Sequence, residues 1–305
     1  MPAERRFGMD HEHYDWSPVV NRGVLRWPES ARVALCVIVN LEHMEWQVPE
    51  GAYQAASLSG GAWRLPYPDY IGYSHREYGH RVGIFRVLKT LEKYGVPATI
   101  AMDSLTARHY PYLVDYCKER GCEFIGHGVS VSRMITSKMS EAEEREYIRE
   151  AIDTLTTATG SSPAGWLGPE YGESTRTPQL LAEAGLRYVC DWTNDEQPYP
   201  LKSPQGEAYA LPIMLELDDV NALWDRRVAI GRYRDMLEEA FDAMYGDAAH
   251  TGRLLVLNLH PWLIGQPFRI RYLDKALEHI TRRQGVWAAT GSEIVDWYRA
   301  HRPAG

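Results

Sequence analysis

Apolar residues along the chain follow two alternating rhythms. Short unbroken runs have the length and density of buried strands: ARVALCVIVNLE (31–42), ATIAMD (98–103), EFIGHG (123–128), AGWLGP (164–169), YVCDW (188–192), LLVLNLHP (254–261) and VWAAT (286–290). Between them the spacing turns helical. HRVGIFRVLKTLEKYG (80–95) puts Val82, Phe85, Leu88 and Leu91 on one stripe and closes on Gly95. Residues 105–121 predict a helix with a proline near its first turns. SEAEEREYIREAIDTLTTATG (140–160) is the clearest helix. Ser140 and Glu143 form a capping box, Ile148, Ile152 and Leu155 make the stripe, and Gly160 ends it. Further helices are predicted at 177–184, near 231–245, at 269–283 and from Ser292. YALPIMLEL (209–217) reads as a hairpin.

Strands alternating with helices argue a parallel sheet with crossover connections. Seven or eight such units in 305 residues predict a closed or nearly closed β/α barrel rather than an open doubly wound sheet. With no internal repeat or linker, residues 31–300 read as a single domain. Residues 1–30 read as an extended arm. Residues 47–79, rich in Gly, Pro and Tyr, read as a long insertion of the kind that serves as a lid.

Composition narrows the function. The chain is 45% hydrophobic and 24% charged, as globular proteins are, and its formal net charge is −8 with a pI near 5.8. No basic run stands out, so nucleic acid is not an expected partner. No apolar stretch reaches membrane-spanning length, and the N-terminus has no apolar signal core. Cys36, Cys117, Cys122 and Cys190 show no C-x-x-C spacing, and Cys36 and Cys190 lie in apolar runs as core thiols. Cytoplasmic location is the expectation.

Candidate chemistry gathers at one topological position. The predicted strands end on Asn40 and Glu42, Asp103, His127, Pro169–Glu170, Asp191 and His260. In β/α barrels the loops after the strands converge on one mouth, so these residues predict a site there. No glycine-rich phosphate loop follows the first strand, and no G-x-S-x-G elbow appears. Dinucleotide binding and α/β-type serine hydrolysis are therefore disfavoured.

These strand ends resemble those of the polysaccharide deacetylase superfamily, whose NodB-type domain is a distorted β/α barrel. The likeness runs from about residue 31 to residue 298. It implies a D-x-D strand end with a general base and a metal ligand, an H-x-x-x-H pair of ligands, an R-x-P arginine, and a late L-x-H acid. Here N-L-E (40–42) puts Asn40 at the base and Glu42 at the metal position. H-G-V-S-V (127–131) keeps His127 and has Val131 for the second histidine. G-W-L-G-P (165–169) has Leu167 for the arginine, and L-N-L-H-P (257–261) keeps His260. Base and arginine are lost together, which avoids leaving one buried charge without the other. The sequence is similar to the allantoinase-like and cyclic-imidase-like branch, through REYGHRVGIFR (76–86), GWLGPEYGESTRTPQLLAEAG (165–185), DWTNDEQPYPL (191–201) and HPWLIGQPFRI (260–270).

The resemblance implies a hydrolase of non-peptide amide C–N bonds, with ring opening of a small cyclic ureide or imide as the leading expectation. De-N-acetylation of an N-acetyl saccharide is the alternative, and a barrel that binds a small ligand without turnover is another. Glu42, His127 and His260 are the expected catalytic groups, with Asp191 or Asp195 orienting His260. Asn40, Trp46, Glu77, Arg81, Trp166, Glu170 and Trp192 are expected at the substrate, and Glu173 is a weaker candidate in the same loop. A zinc or manganese ion would fall to Glu42 and His127, with Glu45, His80 or Asp103 completing the set. Two ligands make a poor zinc site, so metal-free catalysis is the other expectation. No organic cofactor is expected, His11, His13, His75 and His80 read as surface groups, and the branch suggests a homo-oligomer.

Overall fold

The computed structural model describes residues 10–47, 50, 69–204 and 206–302. Strand β1 (Val33–Leu41) is buried along its whole length and organises the sheet. It is followed by α1 (Tyr70–Tyr78), α2 (Ile84–Lys93), β2 (Ala98–Met102), α3 (Ser104–His109), α4 (Pro111–Lys118), β3 (Glu123–Gly126) and α5 (Glu141–Thr159). Then come β4 (Gly165–Trp166), α6 (Thr177–Glu183), β5 (Tyr188–Val189), β6 (Tyr199–Leu201), β7 (Ala208–Ala210) and α7 (Ile230–Asp247). The chain closes with β8 (Arg253–Leu259), α8 (Pro261–Ile264), α9 (Ile270–Thr281), β9 (Val286–Ala288) and α10 (Gly291–His301).

The strands form one curled sheet in the order β6-β7-β5-β4-β3-β2-β1-β8. Every pairing is parallel except β6 with β7. β1 pairs with β8 from Val33 to Val39, with β9 over Val33–Leu35 and with β2 over Val37–Leu41. This shared strand distorts the barrel. The edges, β8 and β6, are joined through the loop before β6: Leu254 N–H donates to Glu196 O at 2.8 Å, and Gln197 Nε2 donates to Gly252 O at 2.7 Å. The result is the distorted β/α barrel of the NodB type.

Strand alternation sorts the core. Val33, Leu35, Val37, Val39 and Leu41 pack outward with α2, α7 and α9, while Ala34, Cys36 and Ile38 pack inward with Tyr188, Leu254 and Val256. In β8 the outward residues are Leu255, Leu257 and Leu259. The inward parity therefore delivers Asn40 and Glu42 from β1, and Asn258 and His260 from β8, to the same end of the barrel. Below them Tyr188 fills the interior, and Gly165 lies so close that a Cβ there would meet the Tyr188 ring at 2.2 Å.

Several predicted boundaries move for local reasons. The helix expected at 80–95 begins earlier, at Tyr70, where Asp69 caps Gly72 N–H at 2.9 Å. It widens into a π turn over Gly79–Gly83 before α2. A Cβ at Gly83 would meet Pro261 O at 2.0 Å, so the glycine lets α8 lean against this turn. The insertion expected at 47–79 thus ends in helix; most of its remainder lies outside the described residues. The helix expected at 105–121 is two, α3 and α4, because Pro111 restricts Tyr110 (ψ 59°) away from helical geometry. α5 has the capping box of Ser140 and Glu143, with Gly160 left-handed after it. YALPIMLEL is not a hairpin: β7 pairs antiparallel with β6, and 211–217 carries only the turn Leu215–Leu217. The described part of the arm packs tightly, with Leu25 and Trp27 fully buried and Trp27 Nε1 donating to Arg253 O at 2.8 Å. The four cysteines are free, and no described helix is long and apolar enough to cross a membrane.

Candidate active site

The barrel mouth holds a pocket of about 160 Å³ lined by Asn40, Glu42, Arg76, His127, Glu170, Tyr171, Asp218, Asn258 and His260 among others. Glu42 is its hub. Its Oε2 pairs with Arg76 from α1, its Oε1 lies 3.2 Å from His127 Nε2, and the same oxygen is 3.7 Å from His260 Nε2. Burial alone would push the Glu42 carboxyl up. Arg76, His260 and His127 together overcome it and hold the carboxyl well below the usual range.

His127 sits between two acceptors. Its Nδ1 is 2.5 Å from Leu167 O, which can only accept, so Nδ1 carries a proton. Nε2 faces the Glu42 carboxylate, which also only accepts. Burial opposes the charge, but Glu42 outweighs it and raises the pKa. Gly128, left-handed at φ +66°, turns the chain immediately after it.

His260 is oriented by Asp219. Nδ1 donates to Asp219 Oδ1 at 2.7 Å, and the His260 backbone N–H donates to the same carboxylate at 3.0 and 3.1 Å. Burial lowers the imidazole pKa, while Asp219 and Glu42 raise it further, to about 9. Burial lifts Asp219 to about 6, against the pull of His260. At neutral pH His260 is therefore a held, charged donor whose Nε2 faces the pocket.

Two further groups complete the rim. Glu170 and Tyr171 both have positive φ, 53° and 56°, in the short turn after β4. Strain of this kind persists where surrounding contacts enforce it. Here Glu170 Oε1 lies 3.6 Å from Arg76, and Tyr171 Oη donates to Asp218 Oδ2 at 2.8 Å.

The expected site residues divide. The pocket brings together Asn40, Glu42, His127, Glu170 and His260. It excludes the rest. Asp191 accepts from Gly168 N at 2.7 Å and Asp195 pairs with Arg22, so neither orients His260. Asp219 does. Trp46 is exposed against Tyr70 and Tyr73, Trp166 is sealed in the core, and Trp192 packs on Tyr14. None lines the pocket, because a tryptophan beside a loop is as useful for packing as for binding. Glu77 and Arg81 form an i,i+4 pair at 3.6 Å, with Arg81 71% exposed. The arginine of that helix that reaches the pocket is instead Arg76, which is buried. Glu173 is buried against Asp191, outside the pocket. His80 is buried against Tyr110, and His11, His13 and His75 are partly buried in aromatic clusters rather than free on the surface.

Arg76, Asp218, Asp219 and Asn258 were not singled out from the sequence. Asn258 had a signal: N-L-H at 258–260 repeats the N-L-E of 40–42, so the same parity aims both asparagines inward. Asp218–Asp219 follow the misread hairpin, which hid them.

The donors do not fit a divalent ion at the place the resemblance assigns. Glu42 already pairs with a buried guanidinium, His127 Nε2 is turned to that same carboxylate, and Val131 is a buried alkyl group. Glu45 pairs with Arg133, and Asp103 accepts from His43 N and Thr106 N at 2.6 Å each. Among the described residues, one group of three, Asp218, Asp219 and His260, brings donor atoms within 4.8 Å of one another. Its atoms are engaged internally: Asp219 with His260, and Asp218 with Tyr171, Asn258 and Asn221.

Comparison with known proteins agrees with this architecture. The polysaccharide deacetylase family model matches residues 77–189. A Schizosaccharomyces pombe protein whose name places it among the polysaccharide deacetylases is 27% identical over 303 residues, covering 91% of this chain and 93% of its own. The solved structure of a Pseudomonas aeruginosa protein of similar designation superposes with a TM-score of 0.81 at 27% identity, over 93% of this chain and 97% of that one.

Residues 77–189 carry a polysaccharide deacetylase domain.

The domain is that of hydrolases of carbon–nitrogen bonds other than peptide bonds, of the deacetylase type. The solved Puue allantoinase is as close in shape, with a TM-score of 0.83 and 27% identity over 99% of this chain and 100% of that one.

Proposed function

We propose that this hydrolase cleaves an amide C–N bond with its own side chains as acid and base. The observation that carries the reading is the pair of imidazoles, His127 and His260, both within 3.7 Å of one Glu42 oxygen at the mouth of the barrel. A water entering between Glu42 and the substrate attacks the carbonyl carbon. Glu42 accepts its proton as the C–O bond forms. Arg76 and His127 hold positive charge beside the oxygen where negative charge develops. The tetrahedral centre then collapses, the C–N bond breaks, and His260 Nε2 gives its proton to the leaving nitrogen. Asp219 supports that step by fixing the ring and its charge. The products are an amine and a carboxylic acid, which releases its remaining proton to solvent, and the proton held by Glu42 returns to His260.

On substrate, the names of the relatives favour an N-acetyl group on a saccharide, and that reading stands first. The pocket admits an acetamido group with its sugar ring outside. Ring opening of a small cyclic ureide or imide is the second reading. The compact pocket and the full-length likeness to Puue allantoinase favour it. One panel tests both: an N-acetyl chito-oligomer, a peptidoglycan fragment, allantoin and succinimide, each followed for release of carboxylate. Turnover of the N-acetyl compounds alone supports the first reading, and turnover of the rings alone supports the second. Turnover of none refutes amide hydrolysis.

A further inference from the structure

Asn40 stands where the family's general base stands, yet its environment gives it a different task. Its Nδ2 donates to Asn258 Oδ1 at 2.7 Å and to Leu259 O at 3.2 Å. A backbone carbonyl can only accept, so the amide cannot be turned the other way round. Asn258 is fixed in the same manner, because its Nδ2 donates to Asp218 Oδ2 at 2.7 Å and to Tyr171 Oη at 2.9 Å. The chain Asp218–Asn258–Asn40 therefore has one polarity. It ends on Asn40 Oδ1, a buried oxygen with no hydrogen-bond partner among the described residues, on a side chain that lines the pocket.

An orphaned buried acceptor is costly unless a ligand supplies the donor. The other charged groups of the pocket cannot supply it, since their donors face Glu42, Glu170 or Asp219. We propose that Asn40 Oδ1 accepts the N–H of the scissile amide. The substrate class is then the amide that carries a hydrogen on its nitrogen, open-chain or cyclic, and not an ester or an N,N-disubstituted amide. The inference rests on the amide-hydrolase reading and deepens it. The cationic groups around Glu42 place positive charge beside the carbonyl oxygen, and one neutral acceptor receives the N–H. Holding that N–H fixes which way the nitrogen lone pair points as the centre becomes tetrahedral, and so presents it to His260. A carboxylate in place of Asn40 would face two acceptors, which explains why an amide suits the position.

The test compares matched compounds: succinimide with N-methylsuccinimide, and N,N′-diacetylchitobiose with its N-methyl derivative. Wild-type kcat/KM should favour each N–H compound by about 100-fold or more, since a site built to bond an N–H rejects the analogue lacking it. In Asn40→Ala the ratio should collapse to within roughly fivefold. The wild-type ratio needs no variant, so it decides even where Asn40→Ala fails to fold. Calorimetric binding of the same pairs gives a readout independent of turnover. If no compound is hydrolysed, the amide-hydrolase reading fails, while a binding preference for N–H that vanishes in Asn40→Ala still supports the assignment. Equal binding and equal turnover of N–H and N-methyl compounds by the wild-type protein overturns it. So does an Asn40→Ala variant that keeps the wild-type ratio.

Discussion

Asp219→Asn isolates what one carboxylate does for His260. The replacement is nearly isosteric and keeps an oxygen for the His260 backbone N–H. It removes the charge 2.7 Å from Nδ1. His260 stands at about 9 against an ordinary 6.5, with burial opposing the charge and Asp219 the largest favourable influence. A fall from about 9 to 6.5 corresponds to about 3.4 kcal/mol of lost preference for the imidazolium, at ~1.36 kcal/mol per tenfold. The sign is definite. A raised pKa keeps the proton on His260 until about pH 9, so an acid role gives activity that is full at neutrality and lost as pH rises through 9. In Asp219→Asn that alkaline limb should move down to roughly pH 6.5, the unperturbed histidine value. At pH 7.5 kcat should then drop by about tenfold, because a group with a pKa of ~6.5 is only about one-tenth protonated there. The assay is a pH–rate profile of both proteins on the best panel substrate, with the His260 ring titrated by NMR. An alkaline limb that stays near 9 in the variant refutes the reasoning. A wild-type rate that instead rises through pH 9 makes His260 a base and reverses its role.

Three other substitutions probe the rest of the site. Glu42→Gln leaves Arg76 and His127 charged and buried with a neutral partner; it should cost about 3–5 kcal/mol in denaturant unfolding and abolish turnover. Near-wild-type stability would mean the hub is not ionised. Val131→His restores the family's second histidine in sequence only. Glu42 is committed to Arg76 and His127, so zinc titration should show no tight site, and stoichiometric uptake would contradict that pairing. Gly128→Ala forces a Cβ to within 2.2 Å of Tyr147 Oη and 2.8 Å of Pro169 Cγ at φ +66°. It should cost about 1–3 kcal/mol and lower Tm by roughly 2–10 °C, and an unchanged Tm would show that the turn relaxes freely.

The sequence carried the alternation of buried runs and helical stripes, and so the barrel, because both periods are local properties of the chain. It carried Asn40, Glu42, His127 and His260 for the same reason: a strand's inward parity continues into the residues just past its end. It did not carry Arg76, whose placement depends on the π turn over Gly79–Gly83 and on the approach of Pro261. Neither glycine signals that from the sequence alone. Nor did it carry Asp219, which reaches His260 from a loop 41 residues away. Asp191 and Asp195 ended or followed an apolar run and looked equally suitable. Only the curl of the sheet decides that the end of β8, at His260, meets the loop after β7, while the loop after β5 meets the beginning of that strand. Tryptophans misled because packing and binding use the same residue type in the same kind of loop.

On the proposed mechanism this protein hydrolyses an amide with a closed set of side chains, in which Arg76, His127 and His260 surround Glu42. The most direct measurement is turnover of the best panel substrate by protein exhaustively treated with chelator, with metal content measured on the same sample. The account predicts unchanged kcat at less than about 0.05 metal ions per chain, where a zinc-dependent enzyme would retain only its loaded fraction. Loss of activity on chelation, restored by zinc or manganese, would contradict it and place a cation where Arg76 and His127 are assigned the charge.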